Sequence, residues 1–281
     1  MEIIRTPVEM QKTSLALRRE GKRIGFVPTM GCLHEGHLSL LRIARAHADV
    51  LVVSIFVNPA QFGPNEDLSK YPRDFERDER LCRQEKANIV FYPSAADMYL
   101  PGHSVHVVEE SLSRGLCGAS RPGHFRGVAT VVVKLFNIVL PDVAVFGEKD
   151  GQQLRVIERM VRDLNVPVRI LRGRTVREPD GLAMSSRNGY LSPDERRQAV
   201  CLRRSLDRAE ELYRAGERDA QKMRAAMAHV IEREPSARID YIDLVDDSTL
   251  EPVRKLERPC LVALAVFIGK TRLIDNSVLG L

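Results

Sequence analysis

The chain has 281 residues, 44% hydrophobic and 29% charged, with a formal net charge of +5. That length buries one large or two ordinary cores, while the sequence carries neither a membrane-length apolar run nor an apolar leader, so a cytoplasmic protein is expected. Its five cysteines are widely spaced without a C-x-x-C pair, which excludes a disulfide frame and a cysteine-rich zinc site, and without Trp and with 5% aromatics it lacks stacking platforms for single-stranded nucleic acid.

The first strong pattern is an apolar run at Arg23–Val27, a glycine-containing loop, an amphipathic run at His37–Ala48 and a second apolar run at Asp49–Asn58. The periodicity predicts strand, loop, helix, strand, which is the βαβ unit of a parallel sheet. The loop reads Pro28-Thr29-Met30-Gly31-Cys32-Leu33-His34-Glu35-Gly36-His37. Two histidines three apart fall at the mouth of the helix, where free N–H groups and the positive end of the dipole attract phosphate. A Walker A loop is excluded because its Lys and Ser/Thr are absent, and a dinucleotide fingerprint because this turn has two glycines at the wrong spacing. The order resembles the His-x-Gly-His motif of the nucleotidylyl-transferase superfamily. Two solvated histidines at a helix start, or a His-x-x-His metal pair, stand as alternatives.

Further along, Asn58-Pro59-Ala60-Gln61 follows the second strand, a charged helix is predicted over about 73–86, and Asn88–Phe91 gives a strand. Within that helix Asp74 and Asp78 share a spacing that reaches a hydrated magnesium, or else form a solvated face beside Arg73 and Arg77. The segment from Arg114 to Gly127 is rich in glycine and arginine, and reads either as a lid over an anion or as an exposed connector. Cys117 and His124 lie within it, but no orienting partner for a nucleophile is apparent. Val128 to Val139 has helical spacing, Pro141-Asp142 ends it, and Val143–Phe146 is a short buried strand. Gly147-Glu148-Lys149-Asp150 then leads into a helix through about Leu164, and Val168–Leu171 closes a second parallel unit. Alternating strands and helices predict an open doubly wound sheet over residues 1–175.

The pattern changes after about Thr175. Asp180-Gly181 marks a tight turn between Thr175–Arg177 and Leu182–Met184. Ser192-Pro193-Asp194-Glu195 is a helix start with N-cap, proline and capping box. Helices at about 193–215 and 219–233 precede strands at 238–245, 261–268 and 271–275, the last two joined at Gly269-Lys270. Residues 176–281 are therefore expected to form a smaller α+β domain.

The glycine-histidine loop, the 58–61 cluster and the 147–150 cluster all lie just beyond the carboxyl end of a predicted strand, where open α/β sheets bind ligands. Lys149 near a helix start opposes the dipole, a conflict that a phosphate ligand resolves; a solvated lysine is the alternative. Gln61 and Gln153 suit a hydroxyl or carboxylate, or are surface residues. Met184-Ser185-Ser186-Arg187 offers two hydroxyls and a guanidinium able to clamp phosphate, or a polar loop. Arg169, Arg172, Arg174 and Arg177 form the richest basic cluster, which suits an anionic small molecule.

Laid in order, these segments resemble the pantothenate synthetase (pantoate–β-alanine ligase) family nearly end to end. The matching motifs are Pro28 through His37, Val53–Phe62, Tyr71–Arg73, Arg121–Phe125, Phe146–Asp150 with Gln152-Gln153, Val176–Glu178 and Asp180–Asn188. The resemblance implies ATP-driven condensation of (R)-pantoate with β-alanine through a pantoyl-adenylate, releasing AMP and pyrophosphate. It implies a Rossmann-like ATP- and pantoate-binding domain over 1–175, a C-terminal lid domain over 176–281, magnesium and a homodimer. It assigns catalysis to His34, His37, Lys149 and Arg187. ATP would be bound by Met30, Gly31, Cys32, Leu33, His34, Glu35, Gly36, His37, Gly147, Glu148, Lys149, Asp150, Val176, Met184, Ser185, Ser186 and Arg187. Gln61 and Gln153 would hold pantoate, Gln61 also β-alanine, and Asp78 is the metal candidate. Two rivals share some of these features: an adenylyltransferase that leaves AMP on its product, and an RNA-binding fragment related to tRNA synthetases, prompted by the basic balance.

Overall fold

A computed structural model describes residues 1–64 and 66–280. In chain order the elements are β1 (Glu2–Ile4), α1 (Pro7–Arg19), β2 (Ile24–Thr29), α2 (Glu35–Ala46), β3 (Val50–Ile55), α3 (Phe75–Gln84), β4 (Ile89–Phe91), α4 (Ala95–Met98), α5 (Cys117–Ser120), α6 (His124–Val139), β5 (Val143–Gly147), α7 (Gly151–Asp163) and β6 (Arg169–Gly173). They continue with α8 (Pro193–Gln198), α9 (Cys201–Arg214), α10 (Ala220–Ile231), β7 (Ala237–Asp246), β8 (Cys260–Ile268) and β9 (Thr271–Leu279). Contacts divide the chain into two compact units. The first comprises Met1–Glu109, Arg121–Glu148 and Val156–Arg174; the second comprises Glu110–Ser120, Lys149–Arg155 and the chain from Thr175 onward.

The first unit is built on a six-stranded sheet in the order β1-β4-β3-β2-β5-β6, parallel throughout. Its central strands are apolar along their length because both faces are covered. Val27, Val53 and Val145 pack with Leu40, Leu41 and Ala44 of α2 and Cys82 of α3 on one face. On the other, the Phe136 ring of α6 meets Phe26 and Phe146 edge-on at centroid distances of 6.4 and 6.3 Å. The chain runs from β2 outward through β3 to β4, then returns to β5 beside β2 and runs the opposite way to β6. The switch point therefore lies between β2 and β5, the place where such sheets bind nucleotides.

The sequence reading omits β1 and α1, although Thr6 caps α1 and Pro7 occupies its first turn, a legible helix start. Three residues of β1 are too few for a period to register.

The second unit carries the antiparallel sheet β7-β8-β9. Cys260, Val262, Leu264, Val266 and Ile268 of β8 pack on Leu202, Leu206 and Ala209 of α9 and Met223, Met227 and Ile231 of α10. A register shift between Ile239 and Tyr241 bends β7, and Gly269, at φ +58°, makes the turn between β8 and β9. The single helix expected over 193–215 is instead two. Ala199 and Val200 have ψ of −22° and −16°, values nearer a 3₁₀ turn than an α-helix, and Leu202 N–H bonds the Ala199 carbonyl three residues back at 3.2 Å. Both residues are buried, so the break is fixed by packing rather than by a helix-breaking residue.

Candidate active site

Beyond the carboxyl end of β2 the loop is braced from within. Thr29 Oγ1 donates to the Ser54 carbonyl of β3 at 2.8 Å and accepts Gly31 N–H at 3.1 Å. Gly31 has φ +84° and Cys32 has φ +51°, two successive left-handed residues of which only the first is glycine. A Cβ on Gly31 would lie 2.9 Å from Asp78 Oδ2, so the position requires glycine on both counts. The next two amides, Cys32 N–H and Leu33 N–H, each donate to the Asp78 carboxylate at 2.7 Å.

Asp78 is 1% exposed, which replaces the expected solvated face: the α3 residue turns inward and its charge is met by loop amides. Asp74, its expected companion, caps α3 by accepting Arg77 N–H. Burial raises the Asp78 pKa, against the two amides and Arg77, which lower it. The same burial, and next the Asp78 charge, raises the Cys32 thiol, so that thiol stays protonated and is no nucleophile. Among the described residues no group of three or more His, Cys, Asp or Glu is placed to hold a metal ion.

His34 stands at the N-cap of α2 and His37 at its third residue, the rings 4.1 Å apart and tilted by 36°. His34 N–H donates to His37 Nδ1 at 3.3 Å, an acceptor role that places the ring N–H on Nε2. The four amides from Gly31 to His34 thus have acceptors in Thr29, Asp78 and His37. They precede α2, in whose first turn His37 N–H and Leu38 N–H bond the His34 carbonyl at 2.8 and 3.1 Å. Glu35, Gly36 and the two imidazoles are the groups that the loop carries to the switch point.

Gln61 belongs to the same unit. It ends a short 3₁₀ turn, Pro59–Gln61, capped by Asn58. Buried Asn58 donates to Gln61 Oε1 and to the Gly127 carbonyl, both at 3.1 Å, and accepts Tyr99 O–H at 2.7 Å. Burial pushes the Tyr99 phenol up to about 12, so it remains a donor. Gln61 Nε2 donates to Met30 Sδ at 3.3 Å, tying the turn to the loop after β2. A Cβ on Gly127 would lie 2.2 Å from the Ala60 carbonyl oxygen, so α6 reaches the turn only through a glycine. The Gln61 carbonyl accepts from His124 Nδ1 at 2.9 Å, while Arg121 bonds His124 Nε2 and pairs with Glu66 at 2.5 Å. Both ring nitrogens of His124 are engaged, consistent with a bracing role and not with activation of a cysteine.

Gly147 ends β5 and Glu148 follows it, beside the switch point of the first unit. In the second unit Lys149 and Asp150 lie in a 3₁₀ turn before α7, with Lys149 Nζ 4.0 Å from Asp150 Oδ1. Lys149 is half-buried, its side chain 22% exposed. The neighbouring glutamines divide their tasks. Buried Gln152 holds Cys117 N–H and the carbonyls of Leu112 and Gly115, whereas Gln153 is half-buried in the first turn of α7. The 114–120 part of the glycine-rich segment is therefore anchored at Gly115 and Cys117, not an exposed connector throughout.

The expected hairpin forms: Met184 N–H bonds the Val176 carbonyl, Glu178 N–H bonds the Leu182 carbonyl, and Gly181 turns at φ +93°. It delivers the 3₁₀ turn Ser186–Tyr190, capped by Ser185, whose Oγ accepts Arg187 N–H at 3.2 Å. Met184, Ser185, Ser186 and Arg187 are all half-buried. Two arginines of the basic cluster have partners within their own units. Arg172 pairs with Glu158 at 2.7 Å and Arg177 with Asp275 at 2.6 Å, so both charges are met by carboxylates.

Asp78→Asn preserves the shape of the brace but turns an NH₂ toward amides that need an acceptor. It is expected to lower stability by about 1–3 kcal/mol, read by urea denaturation with the far-ultraviolet dichroism of the native state unchanged. An unfolding midpoint equal to that of the parent protein contradicts the brace.

Comparison with known proteins adds an independent line. The pantoate–β-alanine ligase family model matches residues 2–278. Pantothenate synthetase from Thermotoga neapolitana is 60% identical over 280 residues, covering 100% of both chains. The crystal structure of pantothenate synthetase from Thermus thermophilus superposes with a TM-score of 0.93 at 45% identity, covering 99% of each chain. That of pantoate–β-alanine ligase from Francisella tularensis, complexed with β,γ-ATP and β-alanine, gives a TM-score of 0.80 at 34% identity over 99% of this chain and 97% of that one. With a parallel sheet whose switch point carries His34 and His37, and with matches running from end to end, the chain belongs to the pantoate–β-alanine ligase family and is a ligase that joins pantoate to β-alanine.

Proposed function

We propose that ligation proceeds through a pantoyl-adenylate. The pantoate carboxylate attacks the α-phosphorus of ATP and pyrophosphate leaves; the β-alanine amine then attacks the acyl carbon and AMP leaves, carrying one oxygen that began on pantoate. The observation that carries this reading is the His34–His37 pair at the β2/β5 switch point, with the His37 proton fixed on Nε2. An anion attacking a polyanion needs donors placed where charge grows. His37 and His34 would donate to phosphate oxygens, and Lys149, Ser185, Ser186 and Arg187 would hold phosphates of ATP. Met30 to Leu33, Glu35, Gly36, Gly147, Glu148, Asp150, Val176 and Met184 would line the nucleotide. Gln61 and Gln153 would hold the hydroxyls and carboxylate of pantoate along the line of attack, and Gln61 would also meet β-alanine.

Magnesium would arrive as a complex with ATP, its ligands phosphate oxygens and water, in keeping with the reluctance of that ion to dehydrate. The donor set supports this, since the Asp78 oxygens already accept two amides. Residues 1–175 would serve as the ATP- and pantoate-binding domain and 176–281 as the lid, in a cytoplasmic homodimer. No helix among the described residues is long and apolar enough to cross a membrane.

His37→Ala and Lys149→Ala are each expected to cut turnover about 10²–10³-fold with the dichroism spectrum intact; unchanged turnover in both removes the assignment. Pantoate labelled with ¹⁸O in its carboxylate should deliver one labelled oxygen to AMP. Label in orthophosphate, with ADP as co-product, would mean an acyl-phosphate route instead, and no AMP release at all would favour an adenylyltransferase.

A further inference from the structure

We propose that Asp275 and Asn276, neighbours on β9, are positioning residues that set the two phosphate-handling segments of the second unit. The proposal rests on the ATP roles assigned above to Lys149 and to Ser185–Arg187. Successive residues of a strand face opposite sides, so the pair reaches two different segments from one backbone.

Asp275, 2% exposed, receives Arg177 at both oxygens: Nη1 to Oδ2 at 2.6 Å and Nη2 to Oδ1 at 2.9 Å. Arg177 Nη1 also donates to the Gly181 carbonyl at 3.0 Å, so one guanidinium closes the hairpin on itself and moors it to β9. That hairpin pairs Arg177 with Ala183 and leads directly into Met184–Arg187. Asn188 completes the link by donating to Glu178 Oε1 and to the Ala183 carbonyl. On the other side, Asn276 Nδ2 donates to the Lys149 carbonyl at 2.8 Å. The contact is close enough that a Cβ on Gly151 would lie 3.1 Å from Asn276 Oδ1, so the glycine at the start of α7 makes room for the amide. Asn276 N–H bonds Asp275 Oδ1 at 2.8 Å, which couples the two moorings. A lysine main chain and a serine–arginine loop, far apart in sequence, are thereby referred to a single dipeptide.

The test uses the full-length enzyme and measures the ATP dissociation constant by calorimetry, together with kcat and KM. Asn276→Ala should weaken ATP binding about 10-fold, and Asn276→Asp, which matches the shape but offers no donor to the Lys149 carbonyl, should weaken it at least as much. In a Lys149→Ala background Asn276→Ala should add less than 2-fold, because the mooring acts through that lysine. Arg177→Lys keeps the charge but loses the fork and should give a similar weakening that largely disappears beside Arg187→Ala. Unchanged ATP binding in Asn276→Ala and Arg177→Lys, with only a lower melting temperature, would overturn the proposal and reduce these contacts to stabilising ones. Fully multiplicative losses in the double variants would also overturn it. If Lys149→Ala and Arg187→Ala themselves leave ATP binding unaltered, the failure lies in the assigned ATP roles, and the positioning claim falls with them.

Discussion

One buried carboxylate shapes the nucleotide side of the first unit. Asp78 takes the amides of Cys32 and Leu33 at 2.7 Å each, and those two bonds hold the chain in a left-handed turn that it would otherwise avoid. A non-glycine residue held at positive φ costs on the order of 1–3 kcal/mol. A hydrogen bond to a charged acceptor contributes about 1.5–3 kcal/mol, so two of them offset the strain and part of the burial of Asp78. The consequence for the site is geometric. With Cys32 and Leu33 fixed, His34 is delivered to the start of α2, and its amide fixes the tautomer of His37 one turn later. The two imidazoles are thereby set in place through a carboxylate on α3.

The rest of the first unit is braced in the same way. The Gln61 turn is held by Asn58, itself bonded by Tyr99, and by His124 on the Gln61 carbonyl, together with a glycine that lets α6 approach. Arg121, which bonds His124 beside that turn, is neutralised by Glu66. The second unit likewise neutralises Arg177 on Asp275 and carries Lys149 and Arg187, both half-buried, on short turns. Arg121 and Arg177 are matched by carboxylates, while the turns that carry Lys149 and Arg187 have anchored backbones. Preorganisation of this kind makes donors effective at a developing charge, because little reorganisation remains for the moment of reaction.

Much of this was legible in the residues, for definite reasons. The parallel sheet follows from apolar runs separated by amphipathic ones, whereas its strand order and switch point came only with the fold; the hairpin at Asp180-Gly181 and the start of α8 follow from turn and capping chemistry that is local in sequence. Local readings also failed locally: β1 is too short to show a period, and the break at Ala199-Val200 has no breaker residue, being set by burial. The bracing contacts were out of reach for a different reason. Asp78 meets residues about 45 positions away, Arg177 meets Asp275 across 98, and Asn276 meets Lys149 across 127. Charge and spacing alone gave Asp78 a solvated face and grouped Arg172 with Arg177, because the partner that consumes a charge is a property of the fold. Family resemblance carried the substrates; no periodicity names pantoate.

Under the proposed pantoyl-adenylate route, the pantoate carboxylate displaces pyrophosphate from ATP before any amine is present. Its most direct test is isotope exchange between labelled pyrophosphate and ATP, measured with pantoate and without β-alanine. The account predicts exchange that requires pantoate and is lost when pantoate is left out. Exchange that is indifferent to pantoate, or that appears only once β-alanine is added, would contradict it.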